Sequence, residues 1–159
     1  MVEISIAAER LDLEVLGTHK LWAVKSRLQI PLEHVKSVHA DPKPAMGWFQ
    51  GLKVAGADIP HIFRAGMFWQ DGGKIFWDVR HPKNTIVIEL EDENCTKLIV
   101  EVKNPTATIK YIQQAIDDYQ AAKAAAELEL EQSLRGILEP RLLDMTIESE
   151  EPKRLKQGG

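Results

Sequence analysis

Residues 97–109 read Lys97-Leu98-Ile99-Val100-Glu101-Val102-Lys103-Asn104-Pro105-Thr106-Ala107-Thr108-Ile109, and the chain changes period within them. Up to Val102 the pattern alternates, with Leu98, Val100 and Val102 set against Lys97, Ile99 and Glu101, which is a strand. Asn104 suits an N-cap, because its side-chain oxygen can accept a free N–H of a first helical turn. Pro105 suits the first helical position, where its missing N–H is not needed. Ile109, Ile112, Ile116 and Tyr119 then recur at intervals of three, four and three, which is one helical face. Strands precede this point and a helix follows it. The expected fold is therefore mostly β with a C-terminal α-helix, the helix closing the end of a small barrel.

Working back toward the N-terminus, Ile4 and Ile6 open a strand. Leu11, Leu13 and Val15 alternate with Asp12 and Glu14 in a second strand that has one wet face. Leu21 to Lys25 and Glu33 to His39 read as the third and fourth strands, with Pro31 as the break between them. The clearest hairpin joins Met67-Phe68-Trp69 to Lys74–Arg80 through Asp71-Gly72-Gly73, where glycine can take the positive φ of a tight turn. Strands at 74–80, 86–91 and 97–102 read as an antiparallel meander with one buried face.

Between these blocks, residues 40–65 hold Pro42, Pro44, Gly47, Gly51, Gly56 and Pro60 and keep no steady period. A long loop of this kind is commonly functional. Trp48, Phe49 and Phe63 suggest that it folds back onto the barrel. The expected core combines Leu11, Leu13, Val15, Trp77, Ile86, Ile88, Leu98, Val100, Ile109, Ile112 and Ile116.

Downstream, Gln120 to Glu131 is rich in strong helix formers, and Leu130, Leu134, Ile137 and Leu138 form a second apolar stripe. Gly136 and Pro140 are expected to break it. The chain is thus divided into a barrel with its capping helix at 1–120, a helical extension at 121–140 and a disordered tail at 141–159.

A chain of 159 residues supports one domain with a real core. The net charge of −4, with scattered Lys and Arg, offers nothing to nucleic acid or to an anionic membrane surface. The single cysteine, Cys95, excludes an intramolecular disulfide. No signal-peptide pattern and no membrane-spanning run is visible, so a cytoplasmic location is expected.

No motif is a catalytic signature. His19, His34, His39, His61 and His81 show no zinc spacing, so neither a metal nor a cofactor is expected. Asp78 and Arg80 share a strand face and suit a structural ion pair better than an acid–base pair. Cys95 lies beside Asp92 and Glu93, whose charge disfavours a thiolate, so it reads as a buried small residue. Trp22, Trp48, Trp69 and Trp77 read as core rather than as a ligand platform.

The segment Ile30-Pro31-Leu32-Glu33-His34-Val35-Lys36-Ser37-Val38 resembles a strand signature of bacterial pleckstrin-homology-like domains. Residues 66–119 are similar to the second sheet and closing helix of that fold. Gly51-Leu52-Lys53 through Gly56, Pro60 and Gly66-Met67-Phe68 resembles a family of small bacterial proteins placed in the same fold. The resemblance implies a barrel of about seven antiparallel strands in two nearly orthogonal sheets, capped by one long helix. It also implies a binding or assembly module more than an enzyme. Members that bind phosphoinositides use a basic cluster in the first hairpin loop. Here that loop is Ala7-Ala8-Glu9-Arg10, so headgroup binding is not carried over.

The reading is a non-catalytic cytoplasmic module that binds a protein or peptide, or assembles with itself into a homo-oligomer through Leu130, Leu134 and Leu138. Open strand edges can accept an added strand. A different reading is a small-molecule carrier, with Trp48, Phe49, Phe63 and Trp69 lining a cleft and Lys53, His61 or Arg64 fixing an anionic group. A third is an enzyme of unknown reaction using Asp78 with His81 or His61.

Overall fold

A computed structural model of the chain describes residues 1–16, 27–41, 52–59, 63–70 and 72–148. It divides into two compact units, Met1–Gln120 and Ala121–Gly159.

In the first unit, β1 (Val2–Ala7), β2 (Arg10–Val15) and β3 (Arg27–Pro31) form an antiparallel three-stranded sheet. A single 3-10 turn, Leu32–His34, leads from it into β4 (Val35–Ala40). The second sheet adds β5 (Leu52–Ile59), β6 (Phe63–Gln70), β7 (Gly73–Val79), β8 (Thr85–Leu90) and β9 (Lys97–Glu101) in the order β4-β8-β9-β7-β6-β5. One helix, α1 (Pro105–Glu148), follows.

The cap at the strand-to-helix junction forms as the sequence specifies. Asn104 Oδ1 accepts the N–H of Ala107 at 3.1 Å, and the Asn104 carbonyl accepts the N–H of Thr108 at 2.9 Å. The Gly72 hairpin also forms, with φ at +78° and Gln70 paired to Gly73.

Several expectations are corrected. The last three strands are not an antiparallel meander: β9 lies between β8 and β7 and pairs with β7 in parallel, Trp77 opposite Ile99. Alternating polarity fixes which face is buried and is blind to which strand is the neighbour. The described strands number nine rather than about seven, and not all are antiparallel. The stretch 40–65 is not structureless, since β5 and the start of β6 lie within it. Gly56 pairs with Gly66, so the glycines that mimic a loop sit inside strands. The expected strand at Leu21–Lys25 lies outside the described residues. Pro31 lies at a break between strands as expected, as the last residue of β3 before the turn into β4.

The second sheet is buried on both faces, not one. Phe76, Ile86, Ile88, Leu98 and Val100 join Leu11, Leu13, Val15, Ile30, Ile112 and Ile116 in one core between the sheets and the helix. The opposite face carries a second cluster of Phe68, Ile75, Trp77, Val79, Val87 and Ile99. Trp77 is therefore buried, as expected, but away from the helix, with its ring edge-on to Phe68 at 6.5 Å. Ile109 packs at the margin of the first core.

In the second unit α1 runs to Glu148, through Gly136 and Pro140 at which the sequence reading breaks the helix and into the stretch from 141 that it takes as a disordered tail. Pro140 removes one i to i−4 bond, and the carbonyl that loses it belongs to Gly136, whose backbone is the freest to adjust. No described helix is long and apolar enough to cross a membrane.

Candidate functional site

Two surfaces stand out among the described residues, one in each unit. The first is a cleft beside β1. Among the described residues β1 of the first sheet pairs with β2 alone, and its other edge carries outward-facing backbone groups. Leu16 donates its N–H to the Met1 carbonyl at 3.0 Å, while Ile6 turns its N–H outward to the Tyr111 hydroxyl at 3.2 Å. The outward set is therefore Val2, Ile4 and Ile6. Between this edge and the first turns of α1 lies an open cavity of about 390 Å³, lined by Val2, Ile4, Val102, Lys103, Thr108 and Tyr111 among others. Its walls are mostly apolar with a few polar tips, a composition that suits an apolar ligand or an extended chain.

Sequence reading missed this cleft. Tyr111 falls off the Ile109–Ile112–Ile116 face and is half exposed. An exposed aromatic one position from an apolar stripe is the signal that could have found it.

The second surface is the apolar stripe on α1. Leu130, Leu134, Ile137 and Leu138 are 61, 50, 59 and 55% exposed. They hold the three-to-four spacing that Ile109, Ile112 and Ile116 use for the core. In solution such a row is unusual for a helix that only solvates its surroundings.

The aromatic cleft expected under the 40–65 segment is mostly outside what can be described. Trp48, Phe49 and His61 lie outside the described residues. Lys53 falls on β5 opposite Phe68, and Phe63 and Arg64 fall on β6 opposite Ile59 and Asp58. Trp69 is 45% exposed.

The Asp78–His81 pair is engaged elsewhere on both sides. Asp78 is fully buried and bonds the Met1 ammonium at 2.8 Å, a partner the Arg80 reading did not supply. His81 Nδ1 lies 2.9 Å from Glu101 Oε1. Glu101 Oε2 also accepts the N–H groups of Arg80 at 2.8 Å and His81 at 3.0 Å. Burial pushes the Glu101 carboxyl up. The His81 bond, the two backbone N–H bonds and the terminal ammonium outweigh it and hold the carboxyl below its usual range.

His34, in the 3-10 turn, places Nδ1 2.9 Å from Glu93 Oε1 and Nε2 3.8 Å from Glu33 Oε1. The Glu93 hydrogen bond raises its pKa, opposed by desolvation and helped by the charges of Glu93, Glu33 and Asp92. Glu33 in turn accepts the Tyr119 hydroxyl at 3.3 Å, which ties the far end of the capping segment to the turn between the sheets. Among the described residues no group of three or more His, Cys, Asp or Glu side chains could hold a metal ion. Cys95 is buried with Sγ 3.6 Å from Met67 Sδ, in keeping with its reading as a small core residue. Comparison with known protein families, with characterised proteins and with solved structures gives no match to this chain.

Proposed function

We propose that this chain is a non-catalytic module that binds protein or peptide and assembles with copies of itself, acting in the cytoplasm. The observation that carries the reading is the exposed row Leu130, Leu134, Ile137 and Leu138 on the part of α1 that belongs to the second unit. A helix of this length is marginal alone in water, and its apolar row gains by being covered. The β1 edge, unpaired among the described strands, supports the same class of function, since a strand edge can accept an added strand. A lone buried cysteine is in keeping with a reducing compartment.

Two sheets with one helix on a shared core favour the pleckstrin-homology-like likeness; the parallel β7–β9 pair departs from its antiparallel pattern. The function is therefore argued from surfaces and not from fold. Sedimentation of the full chain tests it. At about 100 μM the chain should exceed its monomer mass, and Leu130→Ser/Leu134→Ser/Leu138→Ser should return it to monomer. A wild-type monomer at that concentration overturns the reading.

The cleft at β1 favours a second reading, an apolar small-molecule carrier, moved from the 40–65 segment to the Tyr111 face. Octanoate, titrated against a Tyr111→Trp reporter, should change its fluorescence saturably if this reading holds, and leave it unchanged if it does not.

A further inference from the structure

We propose that the β1 edge takes one short extended peptide as an added antiparallel strand, with alternate side chains of the peptide filling the cleft against α1. The inference rests on the peptide-binding part of the reading above and is independent of self-assembly.

The edge has a defined length. Glu3, Ser5 and Ala7 turn their backbone groups toward β2, so Val2, Ile4 and Ile6 turn theirs away. The Ile6 N–H is taken by the Tyr111 hydroxyl at 3.2 Å. Among the described residues nothing meets the N–H and C=O groups of Val2 and Ile4 on that side. An added strand therefore pairs with Val2 and Ile4 and stops at Tyr111. In an antiparallel ladder each of those two residues exchanges both of its hydrogen bonds with the peptide residue opposite it.

The chemistry of the walls selects the occupant. The cavity of about 390 Å³ lies at the small end of the range for ligand sites, which suits a short segment. Val2, Val102 and Ala107 supply apolar surface, but the outward backbone groups of Val2 and Ile4 face the same space. A purely apolar ligand strips water from those groups and returns no hydrogen bond. An extended peptide returns one to each and still presents apolar side chains. Glu3 and Lys103 line the cleft with one charge of each sign, so an anionic amphiphile meets an acid as well as a base.

Register then sets the sequence that fits. The peptide residues opposite Val2 and Ile4 share the face on which those two side chains pack toward the core, which calls for aliphatic residues. The residue between them lies opposite Glu3, whose side chain is exposed, and a Lys or Arg there makes an oppositely charged cross-strand pair. The matching pattern is aliphatic, basic, aliphatic.

NMR of the full chain, titrated with acetyl-Thr-Val-Lys-Val-Thr-amide, tests the proposal. The Val2 and Ile4 amide signals should shift saturably. The same peptide methylated on both Val nitrogens keeps its apolar surface and loses its donors, and should bind about tenfold more weakly or worse. Equal binding of the two peptides would show an apolar pocket in place of a strand site and overturn the proposal. So would an unmethylated peptide that leaves both amides unmoved. Exchanging the peptide Lys for Glu should weaken binding about threefold, and Glu3→Lys in the protein should reverse that preference. A preference that Glu3→Lys leaves unchanged would contradict the register. Sedimentation reads self-assembly separately: a monomer that binds the peptide supports this proposal, and an oligomer that does not overturns it while leaving the assembly reading in place.

Discussion

Glu101, the last residue of β9, takes the Nδ1–H of His81 at 2.9 Å, and its second oxygen takes the N–H groups that open the turn out of β7. This one carboxylate closes the parallel crossover. The chain leaves β7 at Arg80, passes through the 3-10 turn Pro82–Asn84 and β8, and returns as β9 beside β7. Without Glu101, two N–H groups at that exit would need other partners.

Glu101→Gln should cost about 1–3 kcal/mol, because it removes a charged acceptor from two backbone donors and a histidine. The sign with pH follows from the lowered carboxyl pKa. The contribution is present above the ordinary carboxylate range and is lost as pH falls through the lowered value. Urea denaturation across the acid range should show a shallower acid limb for the variant. Parallel curves for the two proteins would contradict the assignment.

His34 titrates in the opposite sense. Its pKa is raised by Glu93, so the stability it confers is complete below its unfolded pKa and fades as pH rises through the folded value. Its NMR titration should sit above the ordinary histidine midpoint of about 6.5, and Glu93→Gln should bring it back down. An unshifted wild-type midpoint would show that the 2.9 Å contact does not persist in solution.

The two parts of α1 should respond differently to truncation. Ile112 is fully buried, so Ile112→Ala should cost about 2–5 kcal/mol in chemical denaturation. Leu130→Ala, at protein concentrations too low for association, should change stability by no more than about 0.5 kcal/mol. A small effect at Ile112 would mean that the helix does not complete the core.

The β1–β2 turn carries two non-glycine residues in the left-handed region, Ala8 at φ +49° and Glu9 at +61°. Ala7 pairs with Arg10, so this is a two-residue hairpin of the kind that favours Asn-Gly. Glu9→Gly should therefore stabilise the protein by about 0.5–1 kcal/mol, read as a higher denaturation midpoint. A destabilised variant would mean that the turn gains more from the glutamate than the strain costs.

Local order was legible wherever period and cap coincided: Asn104-Pro105, the Gly72 hairpin and the Ile112–Ile116 face were all readable in advance. Strand neighbours were not. Ile99 and Trp77 alternate alike whether β8 or β9 lies beside β7, and the parallel pair is a ladder between strands that are not consecutive in the chain. Residues 40–65 misled because Gly56 and Gly66 resemble loop glycines yet oppose each other across a strand pair. The β1 cleft was hidden for a similar reason, since a free edge is a property of the sheet and not of Val2 or Ile4. The leucine row was legible as one helix face, because spacing decides which residues share a face, but its exposure was not, since the same spacing buries Ile112 and Ile116.

Hydrogen exchange on the full chain at about 1 μM and about 100 μM tests the assembly surface most directly, because an apolar row covered only by another copy is protected only by mass action. Amides across residues 124–138 should gain protection at the higher concentration, while those of β8 and β9 stay unchanged. Protection in that stretch that is the same at both concentrations would contradict the account.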